Sequence, residues 1–363
     1  MHLARIALTG RAQDVQLLVH KVVRKHREAH PMLVADLAEL LREAPTRASP
    51  LRRQAEAPIP VDVDSRLQLL RIESSPSSDL PPILAGQIQA QMDQIIAERS
   101  QVDCLTDAGL FPTKSVLFVG PPGVGKTMTA RWIASQIGRP LLTLDLAAVI
   151  SSYLGRTGSN LRHVLDYAKS TESVLLLDEF DAIAKRRDDR GEIGELKRLV
   201  TVLLQEVDDW PASGLLIAAT NHPDLLDPAM WRRFDVAVDF ALPEREQLAA
   251  FAARELERRT PRADAWANVL AIIFAGRSFS DVERELRGAR RRSALTGSLL
   301  EDELRKLLAA DRLSKPDRIK LARELTISGI CSQRQAHEIT GVARETIRSS
   351  DARLDGQTHK VAS

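Results

Sequence analysis

The sequence contains few cysteines, few aromatic residues and no long apolar run. Its two cysteines, Cys104 and Cys331, lie far apart, which excludes a disulfide framework or a zinc-binding spacing and favours a reducing, cytoplasmic location. The longest apolar runs, such as residues 173–177, have the length of a strand and cannot span a membrane. Arg5 and Arg11 interrupt the N-terminal apolar residues, so no signal peptide is expected. The net charge of +2 predicts no affinity of the whole chain for nucleic acid, which would need a local basic patch.

Hydrophobic periodicity divides the chain into successive parts. Residues 1–43 carry apolar residues at intervals of three and four, which predicts N-terminal helices, whereas residues 44–82 are rich in Pro, Ser and Arg and predict a linker. Between 83 and 243 short apolar runs alternate with amphipathic helices. This alternation predicts an α/β fold with a parallel sheet covered by helices on both faces. Residues 244–310 predict a helical unit, and residues 311–363 a further helical segment with a polar tail.

The stretch GPPGVGKT, residues 120–127, matches the P-loop pattern and lies between an apolar strand and a helix. Its glycines allow backbone N–H groups to turn towards a phosphate chain, and the helix N-terminus adds partial positive charge. We expect Lys126 to reach the β- and γ-phosphates of ATP and the Thr127 hydroxyl to bind Mg²⁺. The alternative is a Gly/Pro turn before an ordinary helix. The predicted nucleotide-binding residues are Gly120, Pro121, Pro122, Gly123, Val124, Gly125, Lys126, Thr127, Met128 and Asp178.

A second apolar strand, residues 174–177, ends in the paired carboxylates Asp178 and Glu179. Such an ending places both at the C-terminal edge of a parallel sheet, where ligands bind. We expect Asp178 to hold Mg²⁺, directly or through water, and Glu179 to act as the general base that polarises the attacking water. A strand that ends in a charged turn is the alternative. Asp181 is left out of this set, since a cap of the helix at 182–187 accounts for it.

The segment from about 115 to 295 resembles the AAA family of ring-forming ATPases. The strand and turn LLIAATNHP, residues 215–223, resemble the sensor-1 strand of that family. The resemblance implies that Asn221 contacts the γ-phosphate and the attacking water; a simple turn at Asn-His-Pro is the alternative. It also assigns the large ATPase domain to residues 83–243 and a helical lid to residues 244–310.

The stretch LLDPAMWRRFDVAVDF, residues 225–240, resembles the second region of homology of the AAA family. The resemblance implies that Arg232 or Arg233 is an arginine finger, and it leaves open which of the two; an ordinary basic turn is the alternative. A finger must come from a neighbouring subunit, because it has to reach a γ-phosphate outside its own sheet edge. A homo-oligomeric ring is therefore expected, and the resemblance implies a hexamer.

Within the lid region, GRSFSDVE, residues 276–283, resembles the start of the AAA lid helix. Ser278 is expected to cap this helix, and Asp281 falls in its first turn, as the helix dipole favours. Phe279 stands where the family usually has glycine, which predicts a different contact between the lid and the nucleotide.

Tyr153 lies between small, turn-prone residues in a chain whose aromatic content is 4%. The resemblance places SSYLG, residues 151–155, at the pore loop of an AAA ring. It implies that Tyr153 and Leu154 grip an extended protein substrate, since an aromatic face binds backbone regardless of side-chain sequence. The alternative is a tyrosine that packs on its own helix. The charged stretch 185–198 resembles a second pore loop.

Residues 332–350 resemble a helix-turn-helix that reads DNA. Ser332 is expected to cap the first helix, the turn to fall at Gly341, and Arg344 and Arg348 to be exposed on the second helix. The alternative is a helical hairpin for subunit packing. DNA is thus a second predicted partner, and an ATP-switched, DNA-bound regulator is the alternative function.

The whole layout also resembles small bacterial AAA proteins that are encoded beside a subtilisin-like protease in systems of defence against phage. The resemblance depends on the stretches at 175–187 and 218–235. It implies an ATPase that remodels or threads protein substrates for a partner protease, with the N-terminal helices recognising the client or the partner.

Overall fold

The fold is built on a six-stranded sheet. The computed structural model describes residues 70–74, 76, 80–146, 157–182 and 193–348. Its strands are β1 (Arg71–Glu73), β2 (Ser115–Val119), β3 (Leu141–Asp145), β4 (Val174–Asp178), β5 (Leu215–Thr220) and β6 (Val236–Asp239). Their order across the sheet is β1-β3-β4-β5-β2-β6. Strands β2 to β6 pair in parallel, as predicted, whereas β1 is antiparallel to β3.

The edge strand β1 lies inside the stretch 44–82 that composition assigned to a linker. Its residues pair with Leu141 to Thr143, and Leu70 just before it is buried. Glu73 accepts two hydrogen bonds from Arg131, at 2.8 and 3.0 Å, and this pairing lowers the pKa of Glu73. The linker prediction is therefore wrong for these residues. Proline and serine content is a local signal, but β1 forms through partners about 60 to 70 positions away in the sequence.

Helices cover both faces of the sheet, as predicted. On one face α4 and α5 pack against the strands, and on the other face α1 and α3 do so. The helices described in this α/β part are α1 (Gly86–Ser100), α2 (Val102–Asp107), α3 (Lys126–Gln136), α4 (Thr157–Ser170), α5 (Ile193–Asp208) and the short α6 (Pro228–Trp231). The strands between the two helical layers are almost wholly apolar and buried, which is what a sheet covered on both faces requires.

The remaining helices form one unit after β6. They are α7 (Arg245–Leu256), α8 (Ala263–Ile273), α9 (Phe279–Thr296), α10 (Leu300–Arg305), α11 (Lys315–Ile327) and α12 (Gln333–Thr340). Trp266 and Leu270 of α8, Leu325 of α11 and Ile347 belong to the same buried cluster. The described part of the predicted segment 311–363 thus shares a hydrophobic core with residues 244–310, the predicted lid, which we call the lid. No described helix is both long enough and apolar enough to cross a bilayer.

Several predictions fall outside the described residues. They are the N-terminal helices at 1–43, most of the linker, the tail after 348, the first part of the loop at 185–198, and Tyr153 with Leu154.

Candidate functional site

The predicted site residues come together because three parallel strands end at the same edge of the sheet. In the pairing of β4 with β5, Leu177 lies opposite Ala218, and in the pairing of β2 with β5, Val119 lies opposite Thr220. The loop after β2, the carboxylates at the end of β4 and Asn221 after β5 therefore emerge side by side. This is the edge at which open α/β sheets bind their ligands.

Two glycines of the P-loop occupy positions that no other residue fits. Gly120 has φ 142°, and a Cβ there would lie 2.1 Å from the carbonyl oxygen of Phe240. Gly123 has φ 78°, and a Cβ there would lie 2.8 Å from the Oγ of Ser278 and from the Cβ of Ser280. The first glycine lets the loop pass the end of β6, and the second lets it approach the start of α9.

Lys126 folds back into the loop. Its Nζ donates to the carbonyl oxygens of Gly120 at 2.6 Å and Pro121 at 2.9 Å, and to Oδ1 of Asn221 at 2.7 Å. Burial lowers the pKa of Lys126 to about 8, although the Asp178 and Asp181 carboxylates act in the opposite direction. An ammonium group that is partly removed from water gains most from a nearby anion, so this position suits a phosphate group.

Thr127 and the two carboxylates at the end of β4, Asp178 and Glu179, form a second polar group at the site. Thr127 Oγ1 donates to Oδ2 of Asp178 at 3.2 Å, and the backbone N–H of Glu179 donates to Oδ1 of Asp178 at 2.9 Å. Hydroxyl and carboxylate oxygens are ligands that Mg²⁺ prefers, so Thr127 and Asp178 fit a magnesium ion shared with phosphate oxygens. Glu179 has φ 52°, a left-handed conformation that costs about 1–3 kcal/mol in a non-glycine residue.

Asp181, which sequence reasoning left out, lies beside this site. It is buried, and its Oδ1 accepts hydrogen bonds from Thr220 Oγ1 at 3.1 Å and from the backbone N–H of Asn221 at 3.2 Å. The helix that it was expected to cap lies mostly outside the described residues. The sequence offered one signal for Asp181: it is an acidic residue two positions after Glu179 and next to an aromatic residue, Phe180. The structure shows that Phe180 is buried.

A cavity of about 560 Å³ joins these residues to the lid. It is lined by the P-loop, Asp178, Glu179 and Asn221. The other lining residues are Leu80, Pro82, Ile83, Leu84, Phe251, Arg254, Glu255, Phe279, Ser280 and Glu283. The rings of Phe251 and Phe279 lie 5.2 Å apart there. A lining that combines a glycine-rich loop and polar groups with apolar and aromatic side chains matches the phosphates and the base of a nucleotide.

The start of α9 connects the lid to the P-loop. Ser278 caps the helix, as predicted, by accepting the Asp281 N–H at 3.3 Å, and its hydroxyl donates to Asp281 Oδ2 at 2.8 Å. The latter bond lowers the pKa of Asp281. The backbone N–H of Ser280 donates to the carbonyl oxygen of Gly123 at 3.2 Å. The lid and the phosphate-binding loop are therefore joined directly.

The two candidate finger arginines follow α6 and have different surroundings. Asp227 caps α6 by accepting the Ala229 N–H at 2.9 Å, which fixes the turn that presents both arginines. Arg233 forms an ion pair with Asp208 at the end of α5. Arg232 is exposed and forms no ion pair with the residues that the structure describes. Neither arginine is among the described residues that line the cavity.

Residues 116–242 match the sequence profile of the AAA family, described as ATPases associated with various cellular activities. Over 280 residues the chain is 32% identical to the uncharacterized AAA family ATPase y4kL of Sinorhizobium fredii, covering 77% of this chain and 84% of that protein. The chain belongs to the AAA family. Like its family, this AAA protein binds ATP and hydrolyses it to ADP and phosphate.

Two other relatives of this AAA protein match it over only part of their own length. The 26S proteasome regulatory subunit 6A of Saccharomyces cerevisiae is 30% identical over 200 residues, which cover 53% of this chain and 46% of the subunit. The ATP-dependent zinc metalloprotease FtsH 3 of Sphaerobacter thermophilus is 30% identical over 287 residues, which cover 77% of this chain and 56% of that protein. The chain thus spans about half the length of each.

The same fold occurs in the crystal structure of the FIGL-1 AAA domain. The TM-score is 0.51 at 23% sequence identity, and the match covers 66% of this chain and 79% of that domain.

Proposed function

We propose that this AAA protein works as a subunit of a homo-oligomeric ring, hexameric as its family resemblance implies, that uses ATP hydrolysis to remodel or thread protein substrates. The observation that carries the proposal is the meeting of Lys126, Thr127, Asp178, Glu179 and Asn221 around one cavity. Each of these side chains has the chemistry that phosphoryl transfer to water requires.

In this proposal the P-loop binds the phosphate chain through its backbone N–H groups. Lys126 exchanges the carbonyl of Gly120 and the amide of Asn221 for phosphate oxygens, which removes the penalty of its partial burial. Thr127 and Asp178 would hold Mg²⁺, which when bound would supply positive charge to the phosphate chain.

Glu179 then acts on the water that attacks the γ-phosphate. Its carboxylate is exposed at the cavity and accepts the proton of that water, while the Asn221 amide, freed from Lys126, orients the water and the γ-phosphate. The left-handed backbone at Glu179 supports this role, because strained residues are concentrated at functional sites.

The removal of the general base provides the test. Glu179→Gln should bind ATP nearly as tightly as the unmodified chain but turn it over at least about 100-fold more slowly, because the amide cannot accept the proton. Nucleotide binding is measured with a fluorescent ATP analogue and turnover by phosphate release. Near-normal turnover in Glu179→Gln would remove Glu179 from the catalytic role.

We assign the arginine finger to Arg232. Arg233 is already paired with Asp208 of its own subunit, whereas Arg232 is exposed and available to a neighbour. A guanidinium supplied by the next subunit stabilises the charge that develops on the γ-phosphate. Glu179 and Arg232 of successive subunits then complete one active site.

Substrate threading is proposed through Tyr153 and Leu154. The support comes from the AAA resemblance and from two relatives, one named as a proteasome regulatory subunit and the other as an ATP-dependent protease. The hydrogen bond from the Ser280 N–H of the lid to the Gly123 carbonyl would couple phosphate binding at the P-loop to movement of the lid. We further infer a cytoplasmic location, a subtilisin-like partner protease and a role in bacterial defence from the resemblance to small AAA proteins encoded beside such proteases.

Tyr153→Ala tests the threading separately from the chemistry. The variant should retain basal ATP hydrolysis, since Tyr153 is not among the predicted nucleotide-binding or catalytic residues, and should lose ATP-dependent unfolding of a client. ATP hydrolysis and client unfolding are both measured in the presence of the partner protease. Tyr167→Ala, which removes the only other tyrosine of the sequence, is the control. Client unfolding at the normal rate in Tyr153→Ala would rule out the pore role.

A second candidate function is DNA binding by residues 332–350. Ser332 caps α12 by accepting the Gln335 N–H at 3.3 Å, Gly341 is left-handed with φ 68°, and residues 344–348 form a helical turn. Arg344 is exposed on that turn. This arrangement supports a helix-turn-helix, in which the second helix enters the major groove.

DNA binding is tested on the full chain. Binding to duplex DNA should weaken steeply as salt rises, and Arg344→Glu should abolish it, because phosphate contacts dominate such affinity. Arg71→Glu, at the exposed edge strand β1, is the control with the same charge change. Absence of binding at low salt, or equal loss in both variants, would reject the DNA-bound function.

A further inference from the structure

The turn after β4 places a buried carboxylate against the end of β5. Glu179 adopts a left-handed backbone with φ 52°, and Phe180 then donates its N–H to the carbonyl oxygen of Ala219 at 2.8 Å. That bond joins the turn to β5 outside the regular strand pairing. Asp181 is consequently 2% exposed and lies next to Thr220.

One oxygen of Asp181 holds the segment from which the Asn221 side chain projects. It accepts hydrogen bonds from Thr220 Oγ1 at 3.1 Å and from the Asn221 N–H at 3.2 Å. The Thr220 hydroxyl in turn accepts the His222 N–H at 3.1 Å. The backbone is thus held on both sides of Asn221, and the side chain leaves it towards Lys126.

We propose that Asp181 is a positioning residue for ATP hydrolysis, which acts by holding Asn221 at the γ-phosphate and the attacking water. This inference rests on the proposed function, in which Asn221 makes that contact. Asp181 itself touches neither nucleotide nor water in this scheme. It connects the turn that carries Glu179 with the strand end that carries Asn221. The Glu179 carboxylate and the Asn221 amide therefore keep a fixed separation.

A misplacement of the amide affects the transition state more than the bound nucleotide. The P-loop supplies most of the contacts to the phosphate chain, and the hydrogen bonds described above join Asp181 to Thr220 and Asn221 rather than to that loop. The loss should therefore appear in kcat and leave KM for ATP nearly constant. Displacements of about 1 Å in a reacting geometry reduce rates by up to roughly 100-fold.

Two substitutions test the contact from its two sides. Asp181→Asn keeps the size and removes the carboxylate, and Thr220→Val removes the hydroxyl donor at nearly constant volume. Each should lower kcat at least about tenfold and change KM for ATP by less than about threefold. Glu303→Gln, which removes a carboxylate that is 1% exposed in the lid, is the matched control and should leave kcat unchanged.

Double substitution separates positioning from a general effect on folding. If Asp181 acts through Asn221, adding Asp181→Asn to Asn221→Ala should cause no further loss of kcat, because no amide remains to be positioned. Losses that multiply in the double variant would overturn the proposal. If Asp181→Asn does not fold, Thr220→Val combined with Asn221→Ala provides the same comparison.

The single variants also distinguish the positioning role of Asp181 from the proposed function. A slow Asn221→Ala with a normal Asp181→Asn would overturn the positioning role alone and leave the proposed function in place. An Asn221→Ala variant with normal turnover would overturn both the sensor role and the positioning role. The expected result is slow turnover in both, with near-normal ATP binding measured by titration.

Discussion

The backbone at Gly120 passes closer to a neighbouring strand than any side chain allows. A Cβ at this position would lie 2.1 Å from the Phe240 carbonyl oxygen, and the adjacent Phe240 N–H donates to Val119 at 2.7 Å. A side chain here must therefore displace either the phosphate-binding loop or the end of β6. Since Lys126 bonds to the Gly120 carbonyl, the displacement would also reach the lysine.

We expect Gly120→Ala to bind ATP at least about tenfold more weakly and to lose about 1–3 kcal/mol of unfolding free energy, as overpacking does. Nucleotide titration and urea unfolding measure the two effects. Gly86→Ala is the control: Gly86 begins α1 with no atom within 4 Å of an added Cβ, so ATP binding should not change. Equal ATP affinity in the two variants would contradict the steric role of Gly120.

At the scale of elements, the helices after β6 behave as a single packed unit. Ile347, near the end of the described chain, is 0% exposed and lies in the same cluster as Trp266 of α8. The lid is also tied to the turn after α11 by Arg262, which donates to the Gly329 carbonyl at 2.8 Å and pairs with Glu301 within the lid. The C-terminal helices therefore stabilise the lid.

Ile347→Ala should lower the stability of the lid by about 2–5 kcal/mol, because it leaves a cavity in the shared core. Hydrogen exchange of α8 amides reports the change. Ile327→Ala is the matched control: its side chain is 63% exposed at the end of α11, so a change below about 0.5 kcal/mol is expected. Unchanged exchange in Ile347→Ala would show that the C-terminal helices contribute nothing to the lid.

For the whole molecule, the proposal requires two chains to complete each active site. The described residues of one chain place Lys126, Asp178 and Glu179 at the cavity, but they leave Arg232 and Arg233 outside it. The described residues of one copy therefore supply the binding groups, and the proposal assigns the arginine that stabilises the transferred phosphoryl group to a neighbouring copy.

Mixing of inactive variants tests this division. Lys126→Ala lacks a phosphate-binding site, and Arg232→Ala lacks the proposed finger, so each alone should be inactive. A mixture should recover part of the turnover, since Lys126→Ala subunits supply Arg232 to the intact sites of the other variant. Phosphate release measures the recovery. A mixture as inactive as its components, or full activity of Arg232→Ala alone, would contradict completion by a neighbour.

Arg233→Ala provides the comparison at the adjacent position. Because Arg233 pairs with Asp208 of its own subunit, its loss should cost less turnover than the loss of Arg232. A larger effect at Arg233 would transfer the finger role to that residue.

Local rules allowed much of the candidate site to be predicted from the sequence. The positive φ angles of the P-loop glycines, the carboxylates at the end of β4, the Ser278 cap and the turn at Gly341 all depend on backbone conformations within a few residues. The parallel sheet followed from apolar runs of strand length. The identity of the chemistry was therefore present in short motifs, each of which fixes its own geometry.

Only the tertiary structure decided which separated residues meet. It paired β1 with β3, placed Asp181 against Asn221, joined Phe251 to Phe279 at the cavity and merged the C-terminal helices with the lid. These contacts connect positions that are far apart in the chain, so no local propensity encodes them. They follow from which strands and helices become neighbours, and that choice is made by burial of the whole apolar surface at once.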